Sequence, residues 1–370
     1  MDRKTTCFFA LIQAGLWEQS VRLLPYSTVD FDTIYELAEK QSVVGLIAAG
    51  LEHVVDMRVT KQQAIPFMKT VFSLENRNAA MNAFIRELVN KMGEAGIKTL
   101  VVKGQGIAQC YERPQWRAIG DVDLFLDNEN YEKAKAFLIP KAVSIEKEDK
   151  DRKHLGMTID SWSVELHGTL RGPLLKRINA KIDEVQNDTF EHNRFRVWKN
   201  DETDVFLPSP DNDVIFIFTH ILQHYFGSGV GLRQICDWCR FLWTYRDVID
   251  QSLLKRRLTE MCLMTEWKVF CAYAIHFLGA PQEAMLLYDT HRRWILKARM
   301  VNALILDYGN FGRGRDLSYY KNRPYLVRKA ISFRYRVFDA VRNFLIFPLD
   351  SLCAFSQTLK RGFLAVSKRE

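Results

Sequence analysis

The sequence predicts an α+β protein: a small mixed β-sheet core flanked by N-terminal helices and a C-terminal helical domain. Three observations predict it. Apolar residues recur every three or four positions through residues 1–95 and again from about Pro210, whereas runs between them alternate or are β-rich. Gly104-Gln105-Gly106 and Asp127-Asn128 punctuate the change of period. At 370 residues the chain has room for two or three packed units.

The N-terminal helices are read from FDTIYELAEKQSVVGLIAAGLEHV and from LENRNAAMNAFIRELVNKM, where Met81, Phe84, Ile85, Leu88, Val89 and Met92 form one stripe. Gly96 then sits where a helix C′ residue belongs. IKTLVVK (97–103) reads as a strand, followed by a helical stretch over 107–111 and the polar loop ERPQWRAIG. DVDLFL (121–126) is a second strand, and Asp127-Asn128 caps the helix NYEKAKAFL. AVSIEKE (142–148) and SWSVELHGTL (161–170) are further strands. DVIFIFTHILQHYF, LRQICDWCRFLWTY and WKVFCAYAIHFLG are long apolar helices. The expected divisions are an N-terminal helical region (1–95), a core (96–205), a helical domain (206–310) and a basic amphipathic helical tail (311–370).

Apolar content of 48% with 26% charged residues excludes a disordered chain. Seven scattered cysteines fit a reducing compartment better than a disulfide framework. The first twenty residues read as an amphipathic helix, not a signal peptide, because Gln13, Glu18 and Gln19 interrupt the apolar run. No apolar run reaches the roughly 18–20 residues of a membrane span, and a cytoplasmic location is expected. The net charge of +8 is concentrated in residues 313–370, where 13 Lys/Arg face 4 Asp/Glu, so any acidic partner is expected there.

Asp121 and Asp123 stand one residue apart in an apolar strand and so point to one face, with Val122, Leu124 and Leu126 on the other. Two like charges on a core strand repel and resist desolvation. A divalent cation such as Mg²⁺ relieves both costs, since hard cations take carboxylate oxygens. Glu165, between Val164 and Leu166, supplies a third acid of the same pattern, enough for a two-metal site. An exposed edge strand is the plain alternative for D-x-D alone.

Residues 98–126, KTLVVKGQGIAQCYERPQWRAIGDVDLFL, with VELH (164–167), resemble the bacterial branch of the DNA polymerase beta-like nucleotidyltransferase superfamily called the uncharacterised nucleotidyltransferase family. HILQHYFGSGVGLRQICDWCRFL (220–242) is similar to that branch's helical region. The resemblance implies that Asp121, Asp123 and Glu165 hold Mg²⁺ or Mn²⁺. It implies that Lys103, Gly104, Gln105, Gly106 and Arg117 meet the nucleotide phosphates and that Arg233 touches nucleotide or acceptor. The implied reaction moves a nucleoside monophosphate from an NTP to a hydroxyl of a small molecule, sugar or protein. Gln105 departs from the superfamily's usual Ser, and the interval to Asp121 is longer than usual. A catalytically inactive nucleotide-binding or scaffolding protein on the same fold is the rival reading.

Other features have plainer explanations. His220-x-x-x-His224 lacks the Glu of a zincin motif and reads as packed histidines, and Cys236-x-x-Cys239 lies in a helical pattern, away from any strand. Arg233 and Asp237 are spaced for a helix ion pair. His167 shares Glu165's face. In the tail, Val327, Ile331, Phe338, Val341 and Leu345 make a stripe among basic residues that suits a docked helix, contact with a membrane surface or nucleic-acid binding.

Overall fold

The computed structural model describes residues 3–26, 29–227, 229–309, 323–348 and 350–351. Cys353 and most of the expected tail lie outside the described residues. The N-terminal region forms α1 (Arg3–Trp17), α2 (Phe31–Gln41), α3 (Val44–Glu52) and α4 (Lys61–Glu94). Local chemistry sets their ends. Asp30 caps α2 by accepting from the Thr33 amide at 3.0 Å, and Thr60 with Gln63 forms a capping box on α4. Gly96, with φ +70°, follows the end of α4 as expected.

A five-stranded sheet follows, in the order β1 (Leu100–Val102), β2 (Val122–Phe125), β5 (Trp162–His167), β4 (His154–Ile159), β3 (Ser144–Ile145). Only β2 and β5 run parallel; the other neighbours are antiparallel. The short α5 (Gly104–Ala108) links β1 towards β2, and α6 (Asn128–Leu138) follows β2 with Asp127 as its cap. Beyond α7 (Lys176–Glu191), a separate hairpin pairs β6 (Phe195–Asn200) with β7 (Thr203–Pro208). The described strands thus all lie between Leu100 and Pro208. Strand β4 and this hairpin are absent from the reading of the sequence.

The remaining helices are α8 (Pro210–Phe226), α9 (Leu232–Tyr245), α10 (Gln251–Glu260), α11 (Met264–Leu278), α12 (Arg292–Tyr308) and α13 (Tyr325–Ile346). None of the helices among the described residues is long and apolar enough to cross a membrane. The N-terminal helices share one apolar core with α8–α12. Gln13 and Trp17 of α1 fasten that contact by donating to the carbonyls of Phe277 and Leu278, at 3.1 and 2.6 Å.

The sheet's two faces have different jobs. Val122 and Leu124 of β2, Val164 and Leu166 of β5, and Leu155 and Met157 of β4 pack on α4 and α6. Each fully buried aliphatic side chain there stabilises the fold by roughly 1.5–3 kcal/mol. A one-residue slip of β2 would expose Leu124 and drive Asp123 into that core, so burial fixes which side the acids face. On the opposite face, Phe125 closes the deep end against Phe190 and Phe216, with ring centroids 4.8 and 5.5 Å away. The acids lie nearer the mouth of the same face.

Candidate active site

Strand pairing brings the acids together. Asp123 and Glu165 are register partners on the parallel strands β2 and β5, and Asp121 stands one residue before β2 at the exposed rim. Across β5, Gly156 faces Glu165 and His154 faces His167. Since strand side chains alternate, Asp123, Glu165, His154 and His167 share one face.

Their contacts are short. Lys103 Nζ donates to Asp123 Oδ1 at 2.8 Å, and His167 Nε2 donates to the same oxygen at 2.7 Å. His167 Nε2 also lies 3.3 Å from Glu165 Oε2, which His154 Nε2 approaches to 3.1 Å. Burial alone would raise the carboxyl of Asp123, but Lys103 and His167 outweigh it and hold the group below its ordinary value. Burial would likewise raise Glu165; hydrogen bonds from His154 and His167, then the charges of His167 and Lys103, hold it far below the usual carboxylate range. Asp121 moves the other way. Partial desolvation of its carboxyl, and then the negative charges of Glu165 and Asp123, push it up.

The turn beside the acids is built from Lys103 and Gly104, both at positive φ (57° and 30°). A Cβ on Gly104 would meet the Asp121 carbonyl oxygen at 3.4 Å, so the turn lies against the start of β2. Gly106 points elsewhere: a Cβ there would strike Leu207 of β7 at 2.8 Å, which makes it a packing glycine. Gln105 is also turned inward. It is 3% exposed, and its amide donates to Asn78 and Asn82 of α4 at 3.1 and 2.6 Å.

Arg117 and Arg233 brace the loop before β2. Arg117 is 7% exposed and makes a two-pronged pair with Asp237, at 2.8 and 2.7 Å, while Tyr111 donates to the same carboxylate at 2.8 Å. Asp237 therefore partners Arg117, not its helix neighbour Arg233. Arg233 donates to the carbonyls of Ala118 and Ile119 at 3.1 and 3.0 Å, two residues ahead of Asp121. Burial, and then the like charge of Arg117, lower its guanidinium to about 10.

On α8, His220 and His224 share a hydrogen bond of 3.0 Å between their Nε2 atoms. Burial, reinforced by the charge of Lys103, depresses both, His224 to about 4. Cys236 and Cys239 are buried free thiols, and burial raises both well above the ordinary range. They are inert core residues by that chemistry.

Of the expected site residues, Asp121, Asp123, Glu165, Lys103 and Gly104 come together; Gln105, Gly106, Arg117 and Arg233 support the frame around them. His154 is the site residue that sequence reasoning missed. The signal was present in HLGMTI, where Leu155, Met157 and Ile159 alternate with it.

A small mixed sheet bearing acids on adjacent strands beside a glycine turn, followed by helices, defines a nucleotidyltransferase-type protein. The chain belongs to the uncharacterised nucleotidyltransferase family, whose model matches residues 27–279, more than half of its length. No curated protein and no solved structure matches it.

Proposed function

We propose that this protein transfers a nucleoside monophosphate from an NTP to a hydroxyl acceptor, using Mg²⁺ or Mn²⁺ held by Asp121, Asp123 and Glu165 in a two-metal arrangement. The observation that carries the reading is the register match of Asp123 with Glu165, beside Asp121 and the Lys103-Gly104 turn. The donor set suits a hard divalent cation. Asp123 and Glu165 stand side by side in register, and partial desolvation, then the negative charges of those two acids, push Asp121 up, an excess of charge that a cation would relieve.

Bound divalent ions would supply positive charge to the triphosphate and acidify the acceptor hydroxyl. The chain's own residues do the rest. Lys103 reaches Asp123 now and, from the positive-φ turn ahead of Gly104, is placed to meet phosphate oxygens. Asp123 and Glu165 stay ionised at neutral pH, the state that binds cations. Arg233, by gripping the carbonyls of 118 and 119, positions Asp121. Such positioning supplies most of the rate in transfers of this kind.

Thermal shift with Mg²⁺ or Mn²⁺ and each NTP tests the reading, since binding to the native state stabilises by mass action. A shift lost in Asp121→Ala, together with pyrophosphate release when acceptors are supplied, is the expected result. A shift with no pyrophosphate release from any NTP supports the rival nucleotide-binding scaffold.

The C-terminal helix favours a second, separate role. On α13, Val327, Phe338, Val341 and Leu345 are exposed, with Arg328 and Arg334 exposed near them. An apolar stripe of that size with cations beside it fits an anionic lipid surface. Co-sedimentation with phosphatidylserine vesicles, weak on phosphatidylcholine and lost in Phe338→Glu, is expected. Equal retention on both vesicles, or retention on neither, would refute contact with an anionic lipid surface.

A further inference from the structure

We propose that Glu165 is shared with a nitrogen-bearing metal subsite, completed by His154 and His167, that takes a first-row transition ion in preference to magnesium. The inference rests on the transfer reading only in taking the acid-bearing face as a cation site. Three carboxylates explain a magnesium site without any imidazole. Yet two imidazoles aim at one carboxylate oxygen: His154 Nε2 lies 3.1 Å and His167 Nε2 3.3 Å from Glu165 Oε2.

The spacing matches coordination. Donors held at ~2.1 Å around one tetrahedral or octahedral ion stand roughly 3.0–3.4 Å apart. One donor atom from each of His154, Glu165 and His167 lies within 4.8 Å of the others, and the two rings are 4.9 Å apart. The register explains why they meet, since His154 and His167 are direct partners on the antiparallel pair β4–β5. His167 Nε2 also donates to Asp123 Oδ1 at 2.7 Å, so ligation exchanges that proton for the ion and leaves Lys103 as the partner of Asp123.

Donor chemistry then selects the ion. Imidazole suits Zn²⁺ and, by the Irving–Williams order, Co²⁺ far better than Mg²⁺, which like Mn²⁺ prefers carboxylate, phosphate and water oxygens. The site therefore has an oxygen-lined side at Asp121 and a nitrogen-lined side at His154, with Glu165 between them.

The test uses the full-length protein stripped of metal by a chelator. Co²⁺ is titrated in and followed by its visible absorption, and Mn²⁺ is examined by pulsed electron paramagnetic resonance for coupling to nitrogen. The expected results are Co²⁺ bands of a mixed nitrogen–oxygen site, at least ~10-fold tighter binding of Co²⁺ than of Mg²⁺, and ¹⁴N coupling to Mn²⁺. His154→Gln and His167→Gln should each remove the coupling or weaken Co²⁺ binding by about 10-fold or more. Should His167→Gln fail to fold, the half-buried His154→Gln decides alone. Co²⁺ bands of an all-oxygen site, or Co²⁺ binding unchanged in His154→Gln, overturn the proposal. The NTP-dependent shift with Mg²⁺ is measured alongside. Its persistence without nitrogen ligation sinks this subsite alone, and nitrogen ligation without that shift sinks the transfer reading alone.

Discussion

Asp123 and Glu165 lie beside each other on the sheet; Glu266 and Asp350 lie beside each other where α11 meets the chain just past α13. Both pairs are largely buried, yet they settle in opposite charge states. On the sheet, Lys103 and His167 touch the acids and keep them ionised. At the helical junction, burial and then the charge of Asp350 raise Glu266 to about 8, although Arg177 pairs with Asp350 at 2.9 Å. Desolvation acts on both pairs. What differs is whether a cation bonds both carboxylates or only one, since Arg177 bonds Asp350 while Lys297 acts on Glu266 through charge alone. Where only one is bonded, a shared proton serves instead, and the pair is structural. Where both are bonded, the acids are kept ready for a stronger cation.

The largest effect should come from breaking the ionised pair. Asp123→Asn is expected to reduce divalent-dependent NTP turnover by roughly 100-fold or more, the scale on which loss of one preorganised electrostatic partner acts, with the thermal midpoint little changed. Pyrophosphate release and a melting curve on the same sample check it; full turnover in the variant would end the metal assignment. Asp237 supplies the contrast. Its charge is buried and fully partnered by Arg117 and Tyr111. Asp237→Ala leaves a guanidinium buried alone and should cost about 3–5 kcal/mol of stability. Urea unfolding measures this, and Arg117→Met in the same chain should restore much of it.

These contrasts were only partly legible in the sequence. Period-two alternation placed β2, β5 and the face shared by Asp121, Asp123 and Glu165, because their apolar partners alternate without a break. In β4 the same alternation of Leu155, Met157 and Ile159 is present but masked by the site-facing His154, Gly156 and Thr158, a polar and small set that resembles a loop. Nor did alternation show that Gln105 and Arg117 face inward. Their partners are Asn78, Asn82 and Asp237, up to 120 residues away, and a lone Gln or Arg in a polar loop carries no sign of which way it turns. Most of the expected tail falls outside the described residues.

Removing the cation from the ionised pair sharpens the comparison further. Lys103→Met takes away the ammonium 2.8 Å from Asp123 and should move that carboxyl upward, towards the behaviour of Glu266. A charged hydrogen bond of this kind is worth on the order of 1.5–3 kcal/mol, so NTP affinity should weaken by roughly 10- to 150-fold. An unchanged KM with turnover intact would show that Lys103 serves the fold alone.

The smallest effect is expected from the protonated pair, and its sign is set by the direction of the shift. Glu266 has a folded-state value of about 8 against an ordinary 4.5, so the folded chain holds a proton that the unfolded chain releases across that window. Its contribution to stability is complete below about pH 4.5 and is lost as pH rises through about 8. Each unit within the window costs at most about 1.4 kcal/mol. Glu266→Gln keeps the shape and the hydrogen-bonding head but removes the titration, so its stability should fall less steeply than that of the parent between pH 6 and 8, where ordinary carboxylates no longer titrate. Urea midpoints at several pH values in that range give the two slopes. Parallel slopes would mean that Glu266 is ionised like Asp123, and that a cation within reach of Asp350 alone is enough to hold both acids charged.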